Sequence, residues 1–152
     1  MENHYQVRSA TPADVPALSA IERTVFADPW TPAAFRELLG PYSLVATDDG
    51  SVTGYVFARV MSDEAEVLNL AVRKDVQRKG IGRHLLDAIF ESFRKRGVRE
   101  VYLEVRVSNA AGQAFYERLG FRQVGRRRSY YDKPREDALI LARQLDPSAK
   151  SA

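Results

Sequence analysis

The stretch NLAVRKDVQRKGIGR, residues 69–83, decides how the chain folds. Its first four residues end an apolar run typical of a β-strand, and the clearest amphipathic helix of the sequence opens around Gly82. That helix carries one apolar stripe, formed by Leu85, Leu86, Ile89, Phe90 and Phe93. Gly97 follows three basic residues, a pattern typical of a helix C-terminus. The stretch therefore predicts a strand, a polar loop containing Gly80 and Gly82, and a helix.

A loop of this kind can hold a diphosphate. The start of a helix leaves about four backbone N–H groups without an intrahelical partner and carries the positive end of the helix dipole. Glycine lets the backbone approach an anion closely, and Arg78, Lys79 and Arg83 add positive charge around the same turn. Two glycines alone, however, are more often a simple turn that begins a helix. The sequence lacks the Gly-Lys-Ser/Thr of a P-loop and the third glycine of a dinucleotide-binding fingerprint, so it favours neither of those sites.

Outward from this unit, the pattern predicts elements in the order β-α-α-β-β-β-α-β-α-β-β. Helices are expected at about 12–26, 32–39, 80–96 and 109–119, and strands at 5–9, 42–47, 52–61, 64–72, 101–107, 121–130 and 138–145. Because the last strand is apolar on both faces, we expect it to be central. The order predicts an α+β fold, a mixed and mostly antiparallel sheet flanked by about four helices, and excludes a doubly wound parallel sheet. We expect one domain over residues 1–146 and a flexible tail over 147–152.

The composition excludes several functional classes. None of the 152 residues is a cysteine, which excludes disulfides, thiolate metal sites and a cysteine nucleophile. His4 and His84 lack the spacing of a metal-binding pair, so we expect no metal. No apolar run approaches the roughly 20 residues of a membrane helix, and the N-terminal residues do not resemble a secretory signal. We therefore expect a cytoplasmic protein without a membrane partner.

A net charge of +3 makes the chain only mildly basic. It suits a ligand that carries phosphate, but nucleic-acid binders usually concentrate positive charge on one face. We expect no direct nucleic-acid partner.

Three polar residues, one in the fifth strand and two in the helix that follows it, have more than one interpretation. Glu104 falls on the polar side of an alternating strand, which by itself favours a solvent-facing side chain. Tyr116 lies two helical turns beyond Asn109 and on the same helix face, where a core aromatic is the simplest interpretation. Asn109 is most simply an N-cap.

Several motifs nevertheless occur together in a fixed order. Gln77-x-x-Gly80-x-Gly82 follows Asn69-Leu-Ala-Val72, and then come Leu103-Glu-Val-Arg-x-Ser-Asn109 and Phe115-Tyr-Glu-Arg-Leu-Gly-Phe121. This series resembles the GNAT N-acetyltransferase family. Tyr130-Tyr131 and Glu136-Asp-Ala138 are similar to the ribosomal-protein-alanine N-acetyltransferases (RimI type) within it. The resemblance is dense from about residue 64 to 145 and thin before it, where Pro29-Trp30-Thr31 is the main match.

The resemblance implies a function and a site. It implies transfer of the acetyl group of acetyl-CoA to the N-terminal α-amine of a protein, with Glu104 as the base and Tyr116 facing the sulfur. It implies that acetyl-CoA contacts Leu70, Ala71, Val72, Gln77, Arg78, Lys79, Gly80, Ile81, Gly82, Arg83 and Asn109. Trp30 and Tyr131 are candidate walls of an acceptor peptide groove. Without cysteine, direct attack in a ternary complex is the expected route.

Other functions stay open at this point. The acceptor could be a lysine or a small-molecule amine, and a non-catalytic acyl-CoA sensor would share the phosphate loop. Such a sensor would not need both Glu104 and Tyr116. The sequence does not indicate an oligomeric state.

Overall fold

The computed structural model describes residues Tyr5–Asp146. His4 and the expected tail over 147–152 lie outside them. The chain forms two compact units. The first contains the residues up to Arg59 together with Leu68–Ser92, and the second contains Val60–Val67 together with the residues from Phe93 onward.

The described residues form four α-helices and seven strands. The helices are α1 (Val15–Val25), α2 (Pro32–Leu38), α3 (Ile81–Arg96) and α4 (Ala110–Arg118). The strands are β1 (Tyr5–Ser9), β2 (Ser43–Asp48), β3 (Ser51–Met61), β4 (Glu64–Val72), β5 (Glu100–Arg106), β6 (Arg122–Asp132) and β7 (Arg135–Gln144). Between Tyr5 and Asp146, no helix is long and apolar enough to cross a membrane.

The strand order in the sheet is β1-β2-β3-β4-β5-β7-β6. β4 and β5 pair in parallel, whereas the pairs β1–β2, β2–β3, β5–β7 and β6–β7 are antiparallel. This mixed, mostly antiparallel sheet with four helices confirms the predicted α+β class. β7 lies between β5 and β6, as expected for a strand that is apolar on both faces.

The first unit is built around an apolar face of α1. Buried side chains of this helix pack against aromatic residues of α2 and β3; the cluster contains Val15, Leu18, Ile21, Phe35, Val45, Tyr55, Phe57 and Ala71. Trp30, just before α2, packs edge-to-face on Phe35 and Phe57, with ring centroids 5.2 and 5.7 Å apart. Trp30 is therefore anchored to this core, as its position at a helix entry suggests.

In the second unit, buried and partly exposed residues alternate strictly along β5. Val101, Leu103 and Val105 are buried, and the intervening polar residues are only partly exposed. Each residue of β5 has a partner on β7, from the pair Glu100 and Gln144 to the pair Arg106 and Ala138. Because successive residues of a strand face opposite sides, this register places Glu104 and Arg106 on the face opposite to the buried valines.

Gly54 on β3 allows a close approach within the first unit. A Cβ atom there would lie 2.9 Å from the carbonyl oxygen of Ala71 on β4 and 3.3 Å from Cδ1 of Leu85 on α3. We expect Gly54→Ala to lower the free energy of unfolding by about 1–3 kcal/mol, since neither backbone nor helix can yield freely. Urea denaturation measures this change. Gly40→Ala is the control, because its nearest neighbour would be 3.9 Å away; equal stability of the two variants would contradict the packing argument.

Candidate active site

The phosphate loop lies at the start of α3 in the first unit. Arg78 and Gly80 both have positive φ angles, 68° and 87°, so the chain turns through the left-handed region just before the helix. The amide of His84 donates to the Gly80 carbonyl at 3.0 Å. The amides of residues 81–83 therefore precede the first helical hydrogen bond and point out of the helix start. A Cβ on Gly80 would meet only His84 Cδ2, at 3.9 Å, which leaves open space beside the loop.

The side chains around this loop divide into anchors and exposed charges. Ile81 is 2% exposed, so only its backbone could reach a ligand. Gln77 donates from Nε2 to the Val72 carbonyl at 2.9 Å, which ties the loop to the end of β4. Arg78, Lys79 and Arg83 are exposed around the turn. This combination of helix-start amides, an open glycine and exposed cations fits a diphosphate.

The end of β4 carries the other residues expected at the cofactor. Ala71 is buried, while Leu70 and Val72 are half-buried on the opposite face of the strand. They lie in the same unit as the phosphate loop.

Glu104 lies in a cluster of polar side chains in the second unit. Its side chain is 13% exposed and forms an ion pair with the Arg127 guanidinium. The Tyr130 hydroxyl also interacts with this carboxylate; burial, and next the hydrogen bond to Glu104, raise the pKa of Tyr130. The Arg127 guanidinium lies over the Tyr130 ring, 5.1 Å from its centroid. Two residues of β6 thus cover Glu104, which does not face open solvent, whereas the alternation of the strand alone favoured a solvent-facing side chain.

Tyr131 is held beside the same carboxylate. The Arg106 guanidinium lies 4.2 Å from the centroid of the Tyr131 ring and donates to Glu136 Oε1 at 2.9 Å. Burial, and secondly the negative charge of Glu104, raise the pKa of Tyr131 to about 12. Tyr131 is therefore a neutral phenol under all ordinary conditions.

Tyr116 is part of this cluster as well. Its ring packs edge-to-face on Phe115 and Phe121, with centroids 5.2 and 5.6 Å apart. Burial, followed by the electrostatic influence of Tyr131, raises the pKa of Tyr116 well above its ordinary value. Tyr131 therefore interacts electrostatically with both Glu104 and Tyr116, which lie 27 and 15 positions before it in the sequence.

The remaining residues of the predicted site have structural contacts. Asn109 is the N-cap of α4, and its Oδ1 accepts from the Gly112 amide at 2.8 Å. Trp30 lies in the first unit on the aromatic core described above.

Sequence reasoning missed two residues at Glu104, namely Arg127 and Tyr130. Arg127 belongs to a run of three arginines that is usually a solvated strand face. A register shift in β6 between Arg127 and Tyr131, where Ser129 has a φ of 48°, brings both residues to the carboxylate. The sequence offers no strong signal for such a bulge at a serine.

The described part of the chain, Tyr5–Asp146, contains no group of three or more metal-ligating side chains.

A mixed sheet in this order, with a glycine loop between β4 and α3, is the arrangement found in N-acetyltransferases of known structure. The chain belongs to the acetyltransferase (GNAT) family, whose model matches residues 15–121. It is 41% identical over 140 residues to the ribosomal protein bS18-alanine N-acetyltransferase of Escherichia coli strain K12, covering 90% of this chain and 95% of that protein.

Two further comparisons agree with this assignment. The chain is 39% identical over 152 residues to the N-alpha-acetyltransferase RimI of Mycobacterium tuberculosis, covering 93% and 94% of the two chains. The crystal structure of the ribosomal-protein-S18-alanine N-acetyltransferase from Escherichia coli matches with a TM-score of 0.86 at 38% identity, covering 93% of this chain and 94% of that one.

Proposed function

We propose that this protein transfers the acetyl group of acetyl-CoA to the N-terminal α-amine of a ribosomal protein, by direct attack in a ternary complex. The observation that carries the proposal is the environment of Glu104. Its carboxylate is largely buried and already contacts an N–H cation, the Arg127 guanidinium. An acceptor ammonium is the same kind of partner, a cation with N–H donors, and the relatives with this fold act on protein N-termini. A cytoplasmic location, where acetyl-CoA and ribosomal proteins meet, is part of the proposal.

Each residue has a defined role in this scheme. Acetyl-CoA supplies the acyl group, and the exposed amides and cations at the start of α3 hold its diphosphate. The backbone at Leu70–Val72 aligns the acetyl-pantetheine arm, and Asn109 adds a cofactor contact. Glu104 accepts the proton of the acceptor ammonium. Trp30, in the first unit, is a candidate wall of the acceptor groove, and Tyr131, beside Glu104 in the second unit, is a candidate contact of the acceptor.

The chemistry favours an α-amine over a lysine. An α-amine has a pKa of about 7.7–8.0, so roughly a tenth is neutral at pH 7 and a modest base suffices. A lysine amine near 10.4 requires about 3.5 kcal/mol more to reach the same neutral form. A carboxylate such as Glu104, without further desolvation of the substrate, is therefore better matched to an N-terminus.

A peptide panel tests the proposal directly. Peptides that begin with alanine and vary at the second position are incubated with acetyl-CoA, beside peptides with a blocked N-terminus and one internal lysine. Mass spectrometry is expected to locate the acetyl group on the free α-amine only. Acetylation confined to lysines or to polyamines contradicts the acceptor class, and acetyl-CoA binding without any transfer supports a sensor instead.

Tyr116→Phe is expected to lower turnover about tenfold, because one hydrogen bond to the developing charge on sulfur is lost. Since the pKa of Tyr116 is raised, its hydroxyl stays protonated. The wild-type rate therefore shows no descending limb from this group up to about pH 10. Turnover measured against pH for both proteins checks the two statements; a descending limb near pH 9 that disappears in the variant contradicts them.

A further inference from the structure

Glu22 on α1 is a buried carboxylate that the proposed reaction does not use. The residue is 2% exposed. Its Oε1 accepts from the Tyr55 hydroxyl at 2.5 Å and from Asn69 Nδ2 at 2.8 Å, and its Oε2 accepts from the Trp30 amide at 2.9 Å. All three donors are neutral. A carboxyl group buried in this way costs free energy that its hydrogen bonds must offset, so we looked for a function of its position.

The Glu22 side chain fixes the far end of the segment between α1 and α2. The helix ends with an ordinary backbone hydrogen bond, from the Phe26 amide to the Glu22 carbonyl at 3.0 Å. Four residues further on, the Glu22 carboxylate accepts from the Trp30 amide, and Ala27 and Asp28 between these points are exposed. The side chain of one helical residue thus fixes the end of the short loop that follows the helix.

The same carboxylate also holds β4. Asn69 lies immediately before Leu70, in the strand proposed to align the acetyl arm. Glu22 therefore sets the distance between the loop that ends in Trp30 and the strand that begins the cofactor segment, all within the first unit.

We propose that Glu22 is a positioning residue for acceptor binding: it fixes the loop Phe26–Trp30 so that the acceptor groove is formed before the substrate arrives. This inference rests on the proposed place of Trp30 in that groove. Preorganising a loop lowers the entropy that binding must otherwise remove, so the effect falls on the acceptor KM.

Glu22→Gln tests this positioning role by changing one hydrogen bond, the one that the side chain accepts from the Trp30 amide. The glutamine oxygen can still accept from Tyr55 and Asn69, but its NH₂ group then faces the Trp30 N–H, donor against donor. We expect the acceptor KM to rise about tenfold, with kcat and the acetyl-CoA Kd within twofold of the wild type. Tyr55→Phe is the matched control, since it removes a bond to the same carboxylate without touching the loop. It lowers stability and leaves the acceptor KM unchanged.

Fluorescence gives a readout that does not depend on activity. Trp30 is the only tryptophan of the chain, so selective excitation reports this residue alone. Glu22→Gln is expected to shift its emission to longer wavelength and to increase quenching by acrylamide, whereas Tyr55→Phe does neither. The inference is overturned if Glu22→Gln leaves the acceptor KM and the emission at wild-type values, or if Tyr55→Phe changes both to the same extent.

Hydrogen exchange on the wild-type protein covers the case in which Glu22→Gln does not fold. The Trp30 amide is expected to exchange far more slowly than those of Ala27 and Asp28, although all three precede α2; equal rates overturn the inference. If the wild type acetylates no N-terminal peptide, the proposed function fails, while fluorescence and exchange still decide whether Glu22 positions the loop.

Discussion

Glu104→Gln is expected to lower kcat by about a hundredfold to a thousandfold and to leave the acetyl-CoA Kd within twofold of the wild type. Glutamine keeps the shape of the side chain and can still hydrogen-bond, but it cannot accept the proton of the acceptor ammonium. A positioned general base typically contributes this much. Steady-state kinetics gives kcat, and calorimetry with acetyl-CoA gives the Kd.

The pH dependence of this variant adds a second check. As the pH rises through about 8, the α-amine becomes neutral without help, and less depends on a base. The ratio of wild-type to variant kcat is therefore expected to fall as the pH rises from 7 to 9. A ratio that stays constant over this range means that Glu104 acts otherwise than by accepting this proton.

Glu100→Gln is a closely matched control on the same strand. Glu100 has the same parity as Glu104, and its carboxylate also accepts a tyrosine hydroxyl, from Tyr102 at 2.8 Å. We expect its kcat to stay within twofold of the wild type. Equal losses of kcat in the two variants indicate a general effect of negative charge on β5. If Glu104→Gln turns over at the wild-type rate, Glu104 is not the base.

The fold was largely predictable because its elements carry local signals. The apolar run up to Val72 gave β4 its observed bounds, Glu64–Val72, and the glycine at position 97 marked the end of α3. The hairpin of β6 and β7 was less predictable. Toward the hairpin turn, β6 ends two residues after the expected 130 and β7 begins three residues before the expected 138. Near this turn, Asp137 accepts from the Arg126 side chain at 2.7 Å and from the Ser129 amide at 2.8 Å. Such contacts between polar side chains have no periodic signature in the sequence.

The site was predictable only in part, for a related reason. The position of Glu104 follows from alternation, but its cover does not. Arg127 and Tyr130 lie on β6, which is separated from β5 by β7 in the sheet, so they reach Glu104 across an intervening strand. The unusual position of Glu22, in contrast, is visible in the sequence. It lies seven residues after Val15 and four after Leu18, on the buried stripe of α1, where an acid is unusual.

Gly80→Ala is expected to weaken acetyl-CoA binding about a hundredfold. In the protein alone, the added methyl would meet only His84 Cδ2, at 3.9 Å. A bound diphosphate must approach this backbone closely, and a methyl group that holds it away costs at least two charge-assisted hydrogen bonds. Coenzyme A without the acetyl group is expected to lose the same factor, because the loop contacts the diphosphate and not the thioester. Calorimetry with both ligands measures the two values.

Gly97→Ala separates loss of the ligand from strain in the backbone. Gly97 has a φ of 90°, close to the 87° of Gly80, and an added Cβ there also meets open space. Both substitutions therefore force alanine into the left-handed region, at a similar cost of about 1 kcal/mol in stability. If the loop holds a diphosphate, both variants show a similar fall in Tm, but only Gly80→Ala loses affinity for acetyl-CoA. If the two variants bind acetyl-CoA equally well, their only common change is backbone strain. The methyl group at position 80 then excludes no ligand, and the diphosphate lies elsewhere.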